Sequence, residues 1–174
     1  MTDIQVKKRN NTDEPLDIEK MHKVVFYACE GITGVNASEV EIKSSLQFYS
    51  GITSSEIQET LIKSAADLIS EDTPNYQWVA GRLINYHLRK NVYDSFVPWP
   101  RLQTVKTNIE KGYYDDAKLN KYTNEGWEIL DTYTRHERDE GLTYAAMEQW
   151  RGKYHVQNRV TGHIYEAPQV ADMM

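Results

Sequence analysis

A group of basic residues near the start of the chain is the first feature that could do chemistry. The run Lys7–Arg9 is wholly basic, Lys20 follows at the start of a predicted helix, and Lys90 lies near the end of another. Lysines from distant segments can converge on phosphates, where each ammonium acts as a point charge, and a helix start near Asp17 would add backbone N–H donors. From spacing alone, the favoured interpretation is a solvated edge strand, since such charges also prevent edge-to-edge aggregation.

Common catalytic and metal-binding motifs are missing from the sequence. There is no Walker A loop and no G-x-G-x-x-G fingerprint, so a nucleotide site would have to be built in another way. The segment His136–Glu140 lacks the second histidine of an H-E-x-x-H zinc site, and we interpret it as a charged, exposed loop. Cys29 falls on an apolar helical face, where a small core residue is a more common role than a nucleophile. We predict no catalytic residue and no metal site.

The composition is that of a folded, acidic protein. Hydrophobic residues make up 40% and charged residues 26% of the 174 residues, and the net charge is −6. An acidic chain is poorly suited to broad binding of nucleic acid, and no apolar run approaches the ~20 residues of a membrane helix. One cysteine cannot form an internal disulfide, and no apolar signal segment follows the first residues. We therefore expect a reducing, cytoplasmic setting.

A hairpin and a helix must position the basic residues. The β-compatible segments 4–9 and Glu14–Leu16 flank a turn signal at Asn10–Asp13, which predicts a β-hairpin. Asp17 is a suitable N-cap for the helix that follows. The helical spacing predicts an apolar side made of Ile18, Met21, Val24, Val25 and Ala28.

Three further helices are predicted before residue 95, which gives a hairpin over a helical bundle. Capping boxes mark two helix starts, at Ser38 and at Thr53, and Pro74 fits the first position of a third helix. The Pro-rich segment Phe96–Pro100 is the predicted boundary, so we expect one domain at residues 1–95 and another at 96–174. The second should contain helices and a C-terminal hairpin around Thr161–Gly162. The predicted fold class is mainly α with a small β component.

Several segments resemble a known family. Val6–Arg9, Glu14 and Ile18–Met21 resemble the ATP-cone signature, in which a strand and a turn precede a helix that begins with a lysine. The chain is also similar to the large (alpha) subunit of class I ribonucleoside-diphosphate reductases. The segments that carry this similarity are Leu46–Tyr49, Gly51–Ile57, Ala65–Ile69, Arg82–Leu83, His87–Lys90, Gly112–Asp115, Tyr122–Thr123, Tyr144–Ala146 and Gly152–Gly162. They span almost the whole chain, which therefore resembles the N-terminal part of such a subunit.

The resemblance implies a fold and a ligand. In that family the cone is a four-helix bundle with a short β-sheet lid, and ATP or dATP, with Mg²⁺, binds beneath the lid as an allosteric effector. The residues of this chain that the resemblance assigns to nucleotide binding are Lys8, Arg9, Glu14, Pro15, Leu16, Asp17, Ile18, Glu19, Lys20, Met21, Ser54, Gln58 and Lys90.

Individual roles follow from the same resemblance. Lys8 and Arg9 would hold phosphate or lid contacts, whereas Lys20 and Lys90 would bind phosphate. Glu14 and Asp17 would contact base or sugar, and Ser54 would donate from a helix start. Asp17 stands where relatives often have Asn, Ser54 where they often have Thr, and Gln58 where several have His. Asp17 adds negative charge and cannot donate a hydrogen bond. We expect these departures to alter discrimination between ATP and dATP more than nucleotide binding itself.

The resemblance also implies partners. The family's reaction uses cysteines on a ten-stranded barrel that lies beyond the matched region, and Cys29 corresponds to none of them, so the chain alone should be inactive. We expect it to work with the remaining catalytic part of the large subunit and a radical-generating small subunit, in a dimer or higher oligomer. Val170–Met174 does not continue the long apolar helix of the family. This difference favours a subunit divided between two genes, with a truncated chain as the alternative.

The sequence is compatible with two classes of function. The first is the N-terminal regulatory portion of a ribonucleoside-diphosphate reductase, in which ATP permits and dATP restrains the formation of deoxyribonucleotides. The second is a non-catalytic module that binds adenine nucleotides for regulation, or an interaction module with an empty cone. Repressors that use this cone carry a zinc ribbon of cysteines, which one cysteine excludes.

Overall fold

The computed structural model describes residues 4–171. Its strands are β1 (Gln5–Lys7), β2 (Asp13–Pro15) and β3 (Ile52–Thr53). Its helices are α1 (Ile18–Cys29), α2 (Ala37–Ser45), α3 (Ser54–Ala66), α4 (Tyr76–Tyr93), α5 (Arg101–Glu110), α6 (Asn124–Tyr133), α7 (Tyr144–Gln149) and α8 (Pro168–Ala171). Short 3₁₀ turns occupy Asp116–Lys121 and His136–Gly141, and a π turn occupies Trp150–Tyr154. The predicted class, mainly α with a small sheet, is confirmed.

The described chain forms two compact units. The first contains residues 4–87 and 141–147, and the second contains residues 88–140 and 148–171. The domain boundary between residues 95 and 96 stays a prediction. The sequence predicts that Val170–Met174 differs from the long apolar helix of the family. Residues 172–174 of that segment lie outside the described residues. Within residues 4–171, no helix is both long enough and apolar enough to cross a membrane.

The predicted N-terminal hairpin is confirmed, and a third strand extends it. β1 pairs antiparallel with β2, with Val6 opposite Glu14, and Asn11 takes the positive φ of 62° that the tight turn requires. β3 pairs parallel with β1, placing Ile52 beside Val6. The hairpin was predictable because its turn is marked by local residues. β3 was missed because two residues are too few to show an alternating pattern.

The core of the first unit lies between the sheet and helices α1 to α4. The sheet contributes the buried side chains of Val6 and Ile52. The helices contribute Met21, Val24, Val25, Ala28, Val40, Leu61, Val79, Leu83 and Ile84. The predicted apolar side of α1 is therefore right except at Ile18, which is 65% exposed because it is the first residue of the helix. Gly81 on α4 lies directly against the backbone of Leu142 and Thr143, which brings residues 141–147 into this unit.

Local side-chain bonds fix the helix starts. The Thr53 capping box is confirmed, and so is Asp17 as the N-cap of α1. The box predicted at Ser38 is wrong, because Asn36 caps α2 and its Oδ1 accepts a hydrogen bond from the Ser38 N–H at 2.9 Å. Asn is as good an N-cap as Ser. Starting α2 at Ala37 places Val40 and Ser44 in the core.

The second unit has its own apolar cluster. Val105, Tyr114 and Trp127 are buried together, and Leu102, Ile109, Leu119 and Leu130 pack around them. The predicted C-terminal hairpin is present as a single antiparallel bridge between Gln157 and Ile164. Gly162 takes the positive φ of 71° at its turn. Side-chain bonds hold this segment in place, since buried Glu166 accepts hydrogen bonds from Tyr114 and from the Val156 N–H.

Candidate nucleotide-binding site

The sheet of the first unit joins the segments that carry the predicted site residues. β1 is the central strand, α1 follows β2, and α3 follows β3. The β1–β3 pairing places the start of α3 beside Lys7, and the Ser54 hydroxyl donates to the Lys7 carbonyl at 3.5 Å. The β1–β2 register places the start of α1 at the other end of β1, where the Leu16 N–H donates to the Ile4 carbonyl at 2.9 Å. Residues 47 positions apart thus come together.

Lys8 is held by an ion pair within the hairpin. Its Nζ lies 3.0 Å from Glu14 Oε2, with the Lys8 side chain 25% exposed and that of Glu14 57% exposed. Such partly exposed pairs contribute little to stability. A phosphate group carries more charge than one carboxylate and could therefore draw the ammonium away from Glu14 at small cost.

The Asp17 carboxylate acts as a helix cap. Asp17 Oδ1 accepts a hydrogen bond from the Lys20 N–H at 2.9 Å. One of the backbone donors expected at this helix start is therefore already satisfied. The Lys20 and Glu19 side chains are exposed, whereas Met21 is 8% exposed and faces the core.

The start of α3 is rigidly built. The Thr53 hydroxyl accepts from the Glu56 N–H at 3.1 Å, and Glu56 Oε2 accepts from the Thr53 N–H at 2.8 Å. The Tyr49 hydroxyl adds a bond to the other Glu56 oxygen at 3.2 Å. The bond from the Thr53 backbone is the main reason why the pKa of Glu56 is lowered. Ser54 and Gln58, which follow on this helix, thus project from a fixed base.

Two residues that the sequence interpretation missed also belong to this part of the molecule. Tyr86 on α4 is half-buried, burial raises its pKa, and the nearby Arg9 guanidinium opposes that rise. His87 lies 3.4 Å from the Ser55 hydroxyl and 3.5 Å from Glu59, so it joins α4 to α3. Helical spacing could have indicated Tyr86, which precedes Lys90 by four residues on the same helix.

The remaining predicted site residues differ in their exposure to solvent. Arg9, Pro15 and Ile18 are exposed, Leu16, Ser54 and Gln58 are half-buried, and Lys90 lies in the last turn of α4 within the second unit. The structure therefore brings together Lys8 with Glu14, and Ser54 with the Lys7 carbonyl. The role of Lys90 stays a prediction.

The segment at residue 136 differs from the exposed loop that was expected. It is a 3₁₀ turn in which Asp139 is fully buried and lies 3.7 Å from the Arg89 guanidinium. Burial, reinforced by the Arg89 charge, lowers the pKa of His136 to about 4. The expectation was wrong because an acidic side chain can be buried when a cation accompanies it, and sequence alone does not show that partner. Residues 4–171 contain no cluster of three or more histidine, cysteine or acidic residues that could hold a metal ion.

Cys29 shows no sign of reactivity. It is half-buried at the end of α1 and forms no disulfide. Burial raises the pKa of its thiol to about 11, although the Arg82 charge opposes that rise. A thiol with such a pKa is protonated at neutral pH and is a poor nucleophile.

Comparison with known proteins identifies the fold. The pattern of the ATP cone domain family matches residues 4–91, which include the sheet and helices α1 to α3. The ribonucleoside-diphosphate reductase subunit alpha of Haemophilus influenzae is 49% identical over 167 residues, covering 95% of this chain. The ribonucleoside-diphosphate reductase 1 subunit alpha of Escherichia coli is 48% identical over 164 residues, covering 94%. The corresponding subunit of Enterobacteria phage T4 is 38% identical over 172 residues, covering 98%.

This chain spans only 22% of the length of each of these three relatives. Its similarity to the N-terminal region of the alpha subunits continues well beyond the cone. The match over residues 4–91 includes strand β1, which Lys8 directly follows, and the start of α3 at Ser54. The chain therefore belongs to the ATP cone family, and it is homologous to the N-terminal region of ribonucleoside-diphosphate reductase alpha subunits.

Proposed function

We propose that this chain is the nucleotide-sensing N-terminal portion of a ribonucleoside-diphosphate reductase large subunit. Its cone would bind ATP or dATP as an allosteric effector, with Mg²⁺ held by the phosphates. The observation that carries the proposal is the family match over residues 4–91, the same region in which Lys8, Arg9, Ser54 and Gln58 lie around one small sheet.

The phosphates would be bound by side chains. Lys8, Arg9 and Lys20 of the first unit would supply positive charge. The ion pair of Lys8 with Glu14 holds the first of these side chains beside the hairpin before a ligand arrives. Ser54 would add a hydroxyl donor from the start of α3. These side chains would supply the charge and the hydrogen-bond donors that a triphosphate requires, so the site would need neither a glycine-rich loop nor a free helix start.

The base and sugar would lie along the segment between the hairpin and α1. Residues from Glu14 to Met21 would line this part of the site, and Gln58 would face it from α3. Asp17 Oδ1 already accepts the hydrogen bond that caps α1, so the Asp17 carboxylate would contact the ligand while it keeps that bond. ATP and dATP differ at one hydroxyl, so small changes among these residues suffice to alter discrimination between them.

Nucleotide binding would be coupled to assembly. The expected partners are the remaining catalytic part of the large subunit and the radical-generating small subunit, and this chain would contribute no catalytic residue. By linkage, an effector that changes assembly must have its own affinity changed by the same factor when the partners bind. Equal affinities for ATP in the presence and absence of the partners would contradict the coupling.

Titration calorimetry of the chain with ATP, dATP and GTP in the presence of Mg²⁺ tests the binding proposal. We expect saturable binding of ATP and dATP, and a melting temperature that rises with the concentration of either nucleotide. A chain that shows neither heat nor stabilisation with both adenine nucleotides would overturn the proposed function.

A further inference from the structure

The C-terminal hairpin of the second unit has two different faces. The antiparallel bridge between Gln157 and Ile164 sets its register. In that register Val156 lies opposite Tyr165, and the Tyr165 N–H donates to the Val156 carbonyl at 3.1 Å. Because successive side chains of a strand point to opposite faces, Val156 and Tyr165 share one face of the hairpin, and the two bridge residues share the other.

Buried polar groups fix the inner face, which is the one that carries the bridge residues. His155 and Glu166 belong to it and are 3% and 2% exposed. His155 Nδ1 donates to the Glu166 carbonyl at 3.0 Å, and a Glu166 carboxylate oxygen accepts from the Val156 N–H at 2.7 Å. Breaking these bonds would leave buried polar groups without partners, so the opposite face of the hairpin is held outward.

The outward face is aromatic and exposed. Tyr154 is 64% exposed and Val156 is 36% exposed. Tyr113, which is 40% exposed, stacks on Tyr165 with the ring centroids 3.7 Å apart, and the exposed His163 meets the edge of the Tyr165 ring. We call these five residues the aromatic face. Single exposed apolar side chains are common, whereas a contiguous exposed group marks an interaction site.

The chemistry of the aromatic face indicates a protein partner. It contains no aspartate, glutamate, lysine or arginine, so it offers no ion pair to a phosphate or to another strongly charged ligand. Tyrosine combines an apolar ring with a hydroxyl group and is enriched in protein interfaces, from whose centres charged residues are depleted. A complementary surface is therefore apolar, with polar groups at its rim for the tyrosine hydroxyls.

The relatives indicate which protein would cover this face. The aromatic face lies beyond residues 4–91, so it belongs to the part of the chain that follows the cone. This chain covers 22% of the Haemophilus influenzae alpha subunit, so more than three-quarters of that relative lies outside the matched region. The matched region ends no later than residue 174. The polypeptide that continues the relative therefore begins close to the hairpin along the chain.

We propose that the aromatic face is an interaction surface that is covered by the catalytic remainder of the large subunit. This remainder is the part of an alpha subunit outside the region matched by this chain. The inference rests on the proposed function, which assigns the chain to such a subunit. The partner would bury the rings of Tyr154 and Tyr165 and the side chain of Val156. Because bonds within the second unit already hold the hairpin, little conformational entropy would be lost on binding.

Co-expression tests the proposal. The probe is the Haemophilus influenzae alpha subunit without the matched region, which carries an affinity tag and is produced together with the complete chain. We expect the wild-type chain to be retained with the probe through affinity and size-exclusion chromatography. Val156→Lys and Tyr154→Lys should each be retained at least about tenfold less, because burying an unpaired ammonium in an apolar interface is costly.

Ile129→Lys is the matched control. Ile129 on α6 is 57% exposed, and the variant makes the same change of charge in the same unit, outside the aromatic face. It should be retained like the wild-type chain. Without the probe, the melting temperatures of all three variants should match that of the wild-type chain, because substitutions at exposed positions change stability little. A purely structural role of the hairpin residues would instead lower the melting temperature.

Three results would overturn the inference. The first is a probe that stays insoluble or does not retain the wild-type chain. The second is an equal loss of retention in Ile129→Lys. The third is a dimer of the chain alone, in analytical ultracentrifugation, that Val156→Lys disrupts, since the occupant would then be a second copy of the chain.

Calorimetry with ATP separates this inference from the proposal on which it rests. A wild-type chain that binds ATP but not the probe leaves nucleotide sensing intact and shows that the inference is wrong. A chain that is retained by the probe through the aromatic face but does not bind ATP leaves the inference intact and overturns nucleotide sensing.

Discussion

The Lys8 ammonium lies 3.0 Å from the Glu14 carboxylate, across the turn that joins the first two strands. The pair orders a basic side chain beside the sheet. Because both partners are partly exposed, it should contribute only about 0.2–1 kcal/mol to stability. The same lysine is predicted to bind phosphate, so its effects on stability and on binding can be separated.

Replacing Lys8 should weaken nucleotide binding far more than folding. We expect Lys8→Met to reduce ATP affinity by roughly 10- to 150-fold at low salt, the range for loss of one charge-assisted hydrogen bond. The free energy of unfolding should change by less than about 1 kcal/mol. Calorimetry and urea unfolding measure the two effects, with Lys106→Met on α5 as a control of equal charge change. Equal ATP affinities for the two variants would show that Lys8 has no part in phosphate binding.

The capping box at the start of α3 should stabilise the first unit. Thr53→Ala removes the hydroxyl that accepts from the Glu56 N–H, and loss of such a cap costs about 0.5–2 kcal/mol. Urea unfolding checks the value. Thr132→Ala, at an exposed position within α6, is the control and should change stability little, since its hydroxyl donates to the Ile129 carbonyl of its own helix and caps no helix start. A Thr53 variant as stable as this control would contradict the capping role.

Close packing of α4 should make Gly81 intolerant of a side chain. A Cβ at this position would overlap the Leu142 carbonyl oxygen and approach Thr143 within 3.0 Å, and both neighbours are backbone. We expect Gly81→Ala to destabilise the chain by about 1–3 kcal/mol, the range for overpacking. Gly152→Ala is the control, because its Cβ would meet nothing within 4 Å. Thermal unfolding should show a lower melting temperature for Gly81→Ala than for the wild-type chain, and an unchanged melting temperature for Gly152→Ala.

Burial of His155 should make stability depend on pH. The imidazole is 3% exposed, and burial lowers its pKa from 6.5 to about 4. The unfolded chain therefore takes up a proton below pH 6.5 that the folded chain excludes, so stability is full above pH 6.5 and falls as the pH drops toward 4. The contribution of this residue should decrease by about 2 kcal/mol between pH 7.5 and pH 5.

Urea unfolding of the wild-type chain and of His155→Leu at these two pH values measures that contribution. The variant removes the titrating group but keeps the other acidic and basic residues, so the difference between the two proteins isolates His155. We expect the wild-type chain to lose more stability than the variant on acidification. Parallel losses in the two proteins would show that His155 is protonated as readily in the folded state as in the unfolded one.

Features encoded by neighbouring residues could be predicted from the sequence. The first hairpin follows from its turn residues, and the starts of α1 and α3 follow from Asp17 and Thr53. Each depends on bonds between residues a few positions apart, so the relevant partners are visible in the chain itself. The ATP cone resemblance rests on the same kind of information, a run of residue types at fixed spacing.

Other features depended on partners distant in the chain. β3 exists because β1 lies beside it, and Asp139 is buried because Arg89 accompanies it. Ile18 fits the apolar spacing of α1 and is nevertheless exposed. Helical spacing defines a face but not what covers it, and a short strand carries no pattern of its own.

The site combines both kinds of information. The identity of Lys8, Ser54 and Gln58 as candidates came from the sequence through the resemblance it carries. Only the tertiary structure decided that Lys8 pairs with Glu14, that Ser54 meets the Lys7 carbonyl, and that the Gln58 oxygen is buried without a donor. Sequence spacing constrains which residues share an element, whereas burial and pairing are set by contacts between elements, because desolvation and hydrogen bonding depend on every neighbouring group at once.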